Sequence, residues 1–205
     1  MHKRSIGLQS YFLLDINAVV RYLIMSDVLL VGASSMLAPI FALFIIRDIQ
    51  GGNEIVAGIA AAIYLITKSL FQIPVATIID RIRGEKDDFG ILVCFSVIMA
   101  LVPLLYLFIS QPWQLYVVQF ILGLFTAMTF PSFMAIFTRH IDRKKEATEW
   151  GVYFTLTDFA SAGLAGIGGV IAGTAGFPAL IIAVVVLSVI GGLLLIPIKP
   201  YLRLR

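Results

Sequence analysis

The chain has 205 residues, of which 60% are hydrophobic and only 13% charged, and its formal net charge is +3. A mean hydropathy of +1.00 excludes a soluble globular protein. Apolar runs recur along the whole sequence, and each is long enough to cross about 30 Å of hydrocarbon. Because backbone polar groups in lipid must satisfy one another, the runs are predicted to be helices. The fold class is therefore an all-α membrane protein.

The apolar runs predict six transmembrane helices joined by short loops, at 20–46, 55–79, 89–110, 114–138, 149–173 and 178–198. Residues 1–19 are predicted to lie along the cytoplasmic interface, because their apolar stretch is too short to span. Residues 199–205 would form a cytoplasmic tail. No cleavable signal peptide is predicted. Cys94 is alone and lies within a span, so no disulfide is expected.

The positions of the Lys and Arg residues predict the orientation of the chain in the membrane. Thirteen of the fifteen basic residues fall before the first span or after the second, fourth and sixth. Such an excess is typical of the cytoplasmic side, so both termini are predicted to be cytoplasmic in an inner or plasma membrane. The net positive charge is thus explained by topology, and nothing supports nucleic-acid binding.

Polar residues inside the first two predicted helices are candidates for a solute or ion site. Asp27 and Ser34 are seven residues apart and share a helix face. Asp27 either reaches interfacial water or a nearby base, or it lies in a functional cavity. Tyr64, Lys68 and Gln72 form a polar stripe, and a charge at the depth of Lys68 needs a partner or a water-filled cavity. Snorkelling of Lys68 to the interface is the alternative.

The later helices add further polar residues. The third span is mostly featureless and is predicted to support the others. Gln119 and Thr126 lie within the fourth span, and Asp158 lies in the fifth at nearly the depth of Lys68. Small residues predict close helix packing at two places, which are Gly58 with Ala62 and the ridge of Ser161, Ala165, Gly169 and Gly173.

The charged loop at 76–86 carries Asp80, Arg81 and Arg83. It resembles the signature loop between the second and third helices of the major facilitator superfamily, whose pattern is roughly Gly-x-x-x-Asp-Arg-x-Gly-Arg-Arg. Ala76 stands at the first Gly, and Arg83-Gly84 inverts the Gly-Arg order. The resemblance implies a cytoplasmic gate in which this loop meets Arg139 and Arg143. The neighbouring His140 is expected at the surface.

The six spans, this loop and the glycine-rich fifth span resemble the amino-terminal half of a major facilitator. That implies an inverted three-plus-three repeat, and a shift of 92 residues indeed places Pro39 on Pro131. It also implies a cavity lined by the first and fourth helices, offering Asp27, Ser34, Gln119 and Thr126. Gln119 and Gly123 follow the Arg-x-x-x-Gly spacing of proton-coupled drug antiporters, with Gln in place of Arg.

Family members normally have twelve spans, so the expected function is a half-size secondary transporter that moves a small solute by alternating access as a parallel homodimer. Lys68 of one copy would then approach Asp158 of the other, with an Asp27–Lys68 pair within one copy as the alternative. A proton is a candidate coupling ion. No cofactor, metal site or enzymatic residue set is predicted. The alternatives are one half of a heteromeric or twelve-span transporter, and a membrane interaction or lipid-handling module.

Overall fold

The computed structural model describes residues 16–81 and 84–202, and this part of the chain is all-helical. Most of the predicted interfacial segment 1–19 lies outside the described residues, as do Arg83 and residues 203–205 of the predicted tail. Within the described ranges, five helices are long and apolar enough to cross a membrane. The chain is a multi-pass integral membrane protein.

The first four helices are α1 (Ala18–Asp48), α2 (Glu54–Arg81), α3 (Lys86–Leu101) and α4 (Pro112–His140), and α3 continues as a 3-10 segment over Val102–Leu107. Amide side chains cap three of the starts. The Asn17 side chain accepts from the Val19 amide at 2.9 Å, and that of Asn53 accepts from the Val56 amide at 2.9 Å. Gln111 and Gln114 form a capping box at α4. These bonds satisfy amides that the first helical turn leaves unpaired.

The last long helix, α5 (Glu146–Leu193), contains 48 residues. A straight helix of that length would measure about 72 Å, far more than a bilayer requires. The helix is broken at Gly176, whose φ of 84° and ψ of 172° are non-helical. A positive φ of this kind is accessible to glycine because it lacks a Cβ. We call residues 146–175 the first arm and residues 177–193 the second arm.

Contacts with α1 give the directions of the two arms. Gly168 in the first arm packs on Met36, and Phe177, just after the break, stacks on Phe44 with ring centroids 4.0 Å apart. Further along the second arm, the carbonyl of Gly191 accepts from the Ser26 hydroxyl at 2.7 Å. The first arm therefore runs in the direction of α1, and the second arm runs back. The predicted count of six helices is not confirmed, because the predicted fifth and sixth spans are joined at Gly176 in one of five long helices.

Two long seams hold the bundle together: α1 packs along α5, and α2 packs along α4, while α3 contacts both α4 and α5. Each seam contains a glycine against a facing backbone. A Cβ at Gly168 would lie 2.7 Å from Met36 Cα, and a Cβ at Gly123 would lie 2.7 Å from the Tyr64 carbonyl oxygen. Only glycine permits such close approach of two helices.

The glycines that the sequence singled out for packing are not the ones in these seams. A Cβ at Gly58, Gly169 or Gly173 would meet nothing within 4 Å. The close contacts instead use Gly32, Gly123 and Gly168. Helical spacing predicts which small residues share a face, but it does not predict which face meets a neighbouring helix.

We call the end of the bundle at which α2 and α4 end, and α3 and α5 begin, the basic end. One buried apolar cluster lies towards it and includes Leu23, Phe137 and Leu195. A second cluster, with Phe44 and Leu115, packs nearer the opposite end. The middle stretches of α1 and α4 lie between these clusters, and they line the main cavity of the molecule.

Candidate functional site

A cavity of about 630 Å³ opens in the middle of the bundle. Its walls come chiefly from α1, α3 and α4, with two residues from α2, one from the first arm of α5 and two from the second arm. Volumes of 300–1,000 Å³ are typical of sites for small molecules. Five residues that the sequence marked as site candidates line it: Asp27, Ser34, Tyr64, Gln119 and Thr126.

Asp27 is the only Asp, Glu, Lys or Arg among the described residues that line this cavity. The Tyr153 hydroxyl donates to its Oδ2 across 2.6 Å, joining α1 to the first arm of α5. The ion pairs among the described residues do not include Asp27, so the alternative Asp27–Lys68 pair is not formed here. Of the two interpretations of Asp27, the structure agrees with the cavity position.

The other polar liners are bonded to one another or to the backbone. The buried Gln119 donates from its amide nitrogen to the Tyr106 hydroxyl at 3.1 Å. The Tyr64 hydroxyl lies 3.5 Å from the Thr126 hydroxyl, which donates in turn to the Leu122 carbonyl at 2.8 Å. Ser34 donates to the Val31 carbonyl at 2.7 Å. These bonds fix the side chains that face the cavity.

Lys68, Gln72 and Asp158 are not among the residues that line the cavity. The Lys68 ammonium lies over the Phe130 ring, 5.0 Å from its centroid, which is the geometry of a cation–π contact. Gln72 is half-buried on α2, and Asp158 is exposed on the first arm of α5. Within one copy, the structure does not bring Lys68 and Asp158 together.

At the basic end, the ion pairs within one copy differ from those that the predicted gate would contain. Asp80 and Arg81 are exposed at the end of α2, Arg143 is exposed in the α4–α5 loop, and Arg83 is not described. Of the predicted gate residues that are described, only Arg139 enters an ion pair, with the buried Asp88 at the start of α3. Its guanidinium also donates to the Gly84 carbonyl at 3.4 Å.

Three further polar groups are buried at the basic end. His140 is buried rather than exposed, and its Nε2 lies 3.7 Å from a carboxylate oxygen of Glu85. Glu149 is fully buried and accepts from the Asp142 amide at 3.3 and 3.4 Å. These contacts join α3, α4 and α5 within one copy. His140 is buried because the end of α4 is covered by the residues that precede α3.

Sequence reasoning missed Tyr106 and Tyr153, which hold two of the candidate residues, and it treated the third span as a support. In the structure, Ser96, Met99 and Tyr106 of that segment line the cavity. The available signal was the tyrosines themselves, because a tyrosine hydroxyl inside an apolar span requires a hydrogen-bond partner.

Comparison with known families agrees with this architecture. The family model described as Major Facilitator Superfamily matches residues 23–204, nearly the whole chain. No curated protein matches the sequence.

Proposed function

The chain belongs to the Major Facilitator Superfamily, and we propose that it is a half-size secondary transporter that moves a small solute by alternating access as a parallel homodimer. The observation that carries this proposal is the cavity of about 630 Å³ lined by the middle of α1 and α4. A site at mid-depth, between helices of two related repeats, is the arrangement that alternating access requires.

The inverted repeat is part of the proposal, and paired contacts support it. With the two arms of α5 counted as separate crossings, the bundle divides into two units of three. Pro39 of α1 and Pro131 of α4 are 92 residues apart in the sequence. Gly123 of α4 packs beside Lys68 of α2, and Gly32 of α1 packs beside Ala160 of α5. Lys68 and Ala160 are again 92 residues apart, so the two seams correspond to each other.

The homodimer is supported by two charged residues on the outer helices. Lys68 lies 13 residues before the end of α2 and Asp158 lies 12 residues after the start of α5. Both ends are at the basic end, so the two residues lie at similar depths of about 20 Å and 18 Å. An exposed acid at that depth requires a partner. In a parallel dimer about an axis along the membrane normal, Lys68 of each copy would meet Asp158 of the other.

The same assembly gives roles to the remaining candidate residues. Gln72 would lie on the α2 face that meets the second copy. Asp80, Arg81, Arg83, Arg139 and Arg143 would close the cavity at the cytoplasmic side, which the excess of basic residues predicts to be the side of both termini. A proton is the candidate coupling ion, with Asp27 or Asp158 as its carrier.

The first experiment is native mass spectrometry of the chain in lipid nanodiscs over a range of protein-to-lipid ratios. A stable dimer is expected. A monomer at every ratio would overturn the homodimer, and it would favour a separate partner half or a role outside transport.

Disulfide trapping then tests the proposed pairing. In a Cys94→Ser background, one copy would carry Lys68→Cys and a differently tagged copy Asp158→Cys. Mixed disulfides between the two tags are expected on mild oxidation. The matched control replaces Asp158→Cys by Ile98→Cys, an exposed position on α3. Equal trapping of both combinations would contradict a specific α2–α5 contact.

A further inference from the structure

The chemistry of the cavity wall restricts the kind of solute that it accepts. Asp27 is the only Asp, Glu, Lys or Arg among the described lining residues, so the wall holds one carboxyl group and no basic side chain. Its carboxylate is held by the Tyr153 hydroxyl through one oxygen, Oδ2. A carboxylate has further acceptor positions beyond that bond. In a poorly hydrated cavity such a group favours a positively charged partner.

Four of the hydroxyl groups in the wall point to the same kind of solute. Ser26, Ser34, Thr126 and Thr129 each donate their proton to a backbone carbonyl, at distances from 2.7 to 3.1 Å. A hydroxyl has one proton to donate, so these oxygens can only accept from a solute. An organic anion needs donors from its site, and these four hydroxyls provide none.

Aromatic rings make up much of the remaining wall. Phe41, Tyr64, Tyr106, Phe130, Phe133 and Tyr153 all line the cavity. Aromatic faces attract cations, and they recognise quaternary ammonium groups in particular. The same rings offer a large apolar surface to the body of a solute. Lys68 lies over the Phe130 ring and is not among the lining residues. In the proposed dimer, Asp158 would neutralise it.

We propose that the cavity binds a lipophilic organic cation, with the positive charge of the solute against Asp27 and its apolar body against the aromatic wall. This inference rests on the proposed function, because it names the class of solute that the proposed transporter would carry. The volume of about 630 Å³ accommodates a drug-sized molecule of this type.

The test compares two ions of nearly the same size and shape but opposite charge, tetraphenylphosphonium and tetraphenylborate. Binding of each to the full chain in nanodiscs would be measured by equilibrium dialysis, with empty nanodiscs as the blank for partition into lipid. Saturable binding is expected for the phosphonium ion alone. Saturable binding of the borate with equal affinity, or of neither ion, would overturn the proposal.

Variants then assign the binding to Asp27. We expect Asp27→Asn to weaken phosphonium binding at least about tenfold and Asp27→Glu to restore most of it. Asp48→Asn, an exposed acid at the far end of the same helix, is the matched control. An affinity within twofold of the wild type in Asp27→Asn would overturn the assignment. Circular dichroism and size-exclusion profiles would verify that each variant is folded.

The binding and mass spectrometry experiments distinguish failure of the proposed solute class from failure of the proposed transporter. If the chain is a dimer but binds neither ion, the proposed homodimeric transporter is retained and the proposal of an organic cation as its solute is overturned. A chain that binds the phosphonium ion through Asp27 but remains monomeric would support the cation site and overturn the homodimeric transporter.

Discussion

The seam between α1 and α5 and the seam between α2 and α4 are built alike but are surrounded differently. In both, a glycine brings two backbones into contact. The helix α1 is enclosed by both arms of α5 and by the cavity wall, and it is buried along much of its length. Helix α2 packs chiefly on α4, and only Val56, Ala60, Thr67 and Ile79 are buried along it.

By this comparison α1 is central in the bundle and α2 is peripheral. Its outer face carries large exposed apolar residues, such as Ile55 at 70%, Leu70 at 66% and Ile73 at 74%. Such a helix can shift against its single main neighbour at little cost to the rest of the fold. At the α1–α5 seam, α1 is also held by the second arm of α5, so the close contact there should be less tolerant of added atoms.

The largest effect is expected at the enclosed seam. A Cβ at Gly168 would meet the backbone of Met36, with Cα at 2.7 Å, and the second arm of α5 also packs on α1. Overpacking of this kind should make Gly168→Ala about 2–3 kcal/mol less stable. The measurement is reversible unfolding in mixed micelles of increasing SDS fraction.

Gly169→Ala is its control, because a Cβ there meets nothing within 4 Å. That change should be neutral or stabilise by up to about 1 kcal/mol, since alanine is the better helix former. Equal losses at both positions would show that the Met36 contact does not limit the seam.

A smaller loss is expected at the peripheral seam. A Cβ at Gly123 would lie 2.7 Å from the Tyr64 carbonyl oxygen and 2.9 Å from Thr67 Cβ. Because α2 can move away from α4, Gly123→Ala should cost only about 1 kcal/mol in the same unfolding assay. Gly90→Ala on α3, where a Cβ has open space, is the control. A loss at Gly123 as large as that at Gly168 would contradict the difference between the seams.

The smallest effect concerns the polar link across the peripheral seam. The Tyr64 hydroxyl lies 3.5 Å from the Thr126 hydroxyl, at the long limit for a hydrogen bond. Tyr64→Phe should therefore change the unfolding free energy by only about 0.5 kcal/mol. Tyr116→Phe on α4 serves as the comparison. A loss above about 2 kcal/mol would mean that α2 depends on this link more than its packing indicates.

The sequence was sufficient for the class of fold and for five of the cavity residues. Apolar runs and charge clusters are local signals, so they show where helices cross and which polar residues lie within them. Asp27 stood out in this way, whereas the cavity position of Gln119 was implied by the resemblance to the superfamily. Two other contacts could not be predicted, which are that of Lys68 with the Phe130 ring and that of Asp27 with Tyr153. Both depend on which helices are neighbours in the fold, and a local sequence pattern does not contain that information.

The basic end shows the same limit. The loop pattern singled out Asp80 and Arg81, whereas the pair within one copy joins Arg139 to Asp88. Asp80 and Asp88 both lie in or near the loop, and the sequence alone does not show which of them pairs with a base of α4. The choice follows from the end of α4 lying against the start of α3, which is a tertiary contact.

The break at Gly176 has a consequence for how the chain enters the membrane. Residues 159–198 contain no Asp, Glu, Lys or Arg, so no charge marks the reversal between the arms of α5. During synthesis the two arms therefore form one continuous apolar hairpin. The basic residues that flank it are expected to set its orientation, and they are Arg143, Lys144 and Lys145 before it and Lys199 after it. We therefore expect the two arms to be inserted together, as a single unit of biosynthesis.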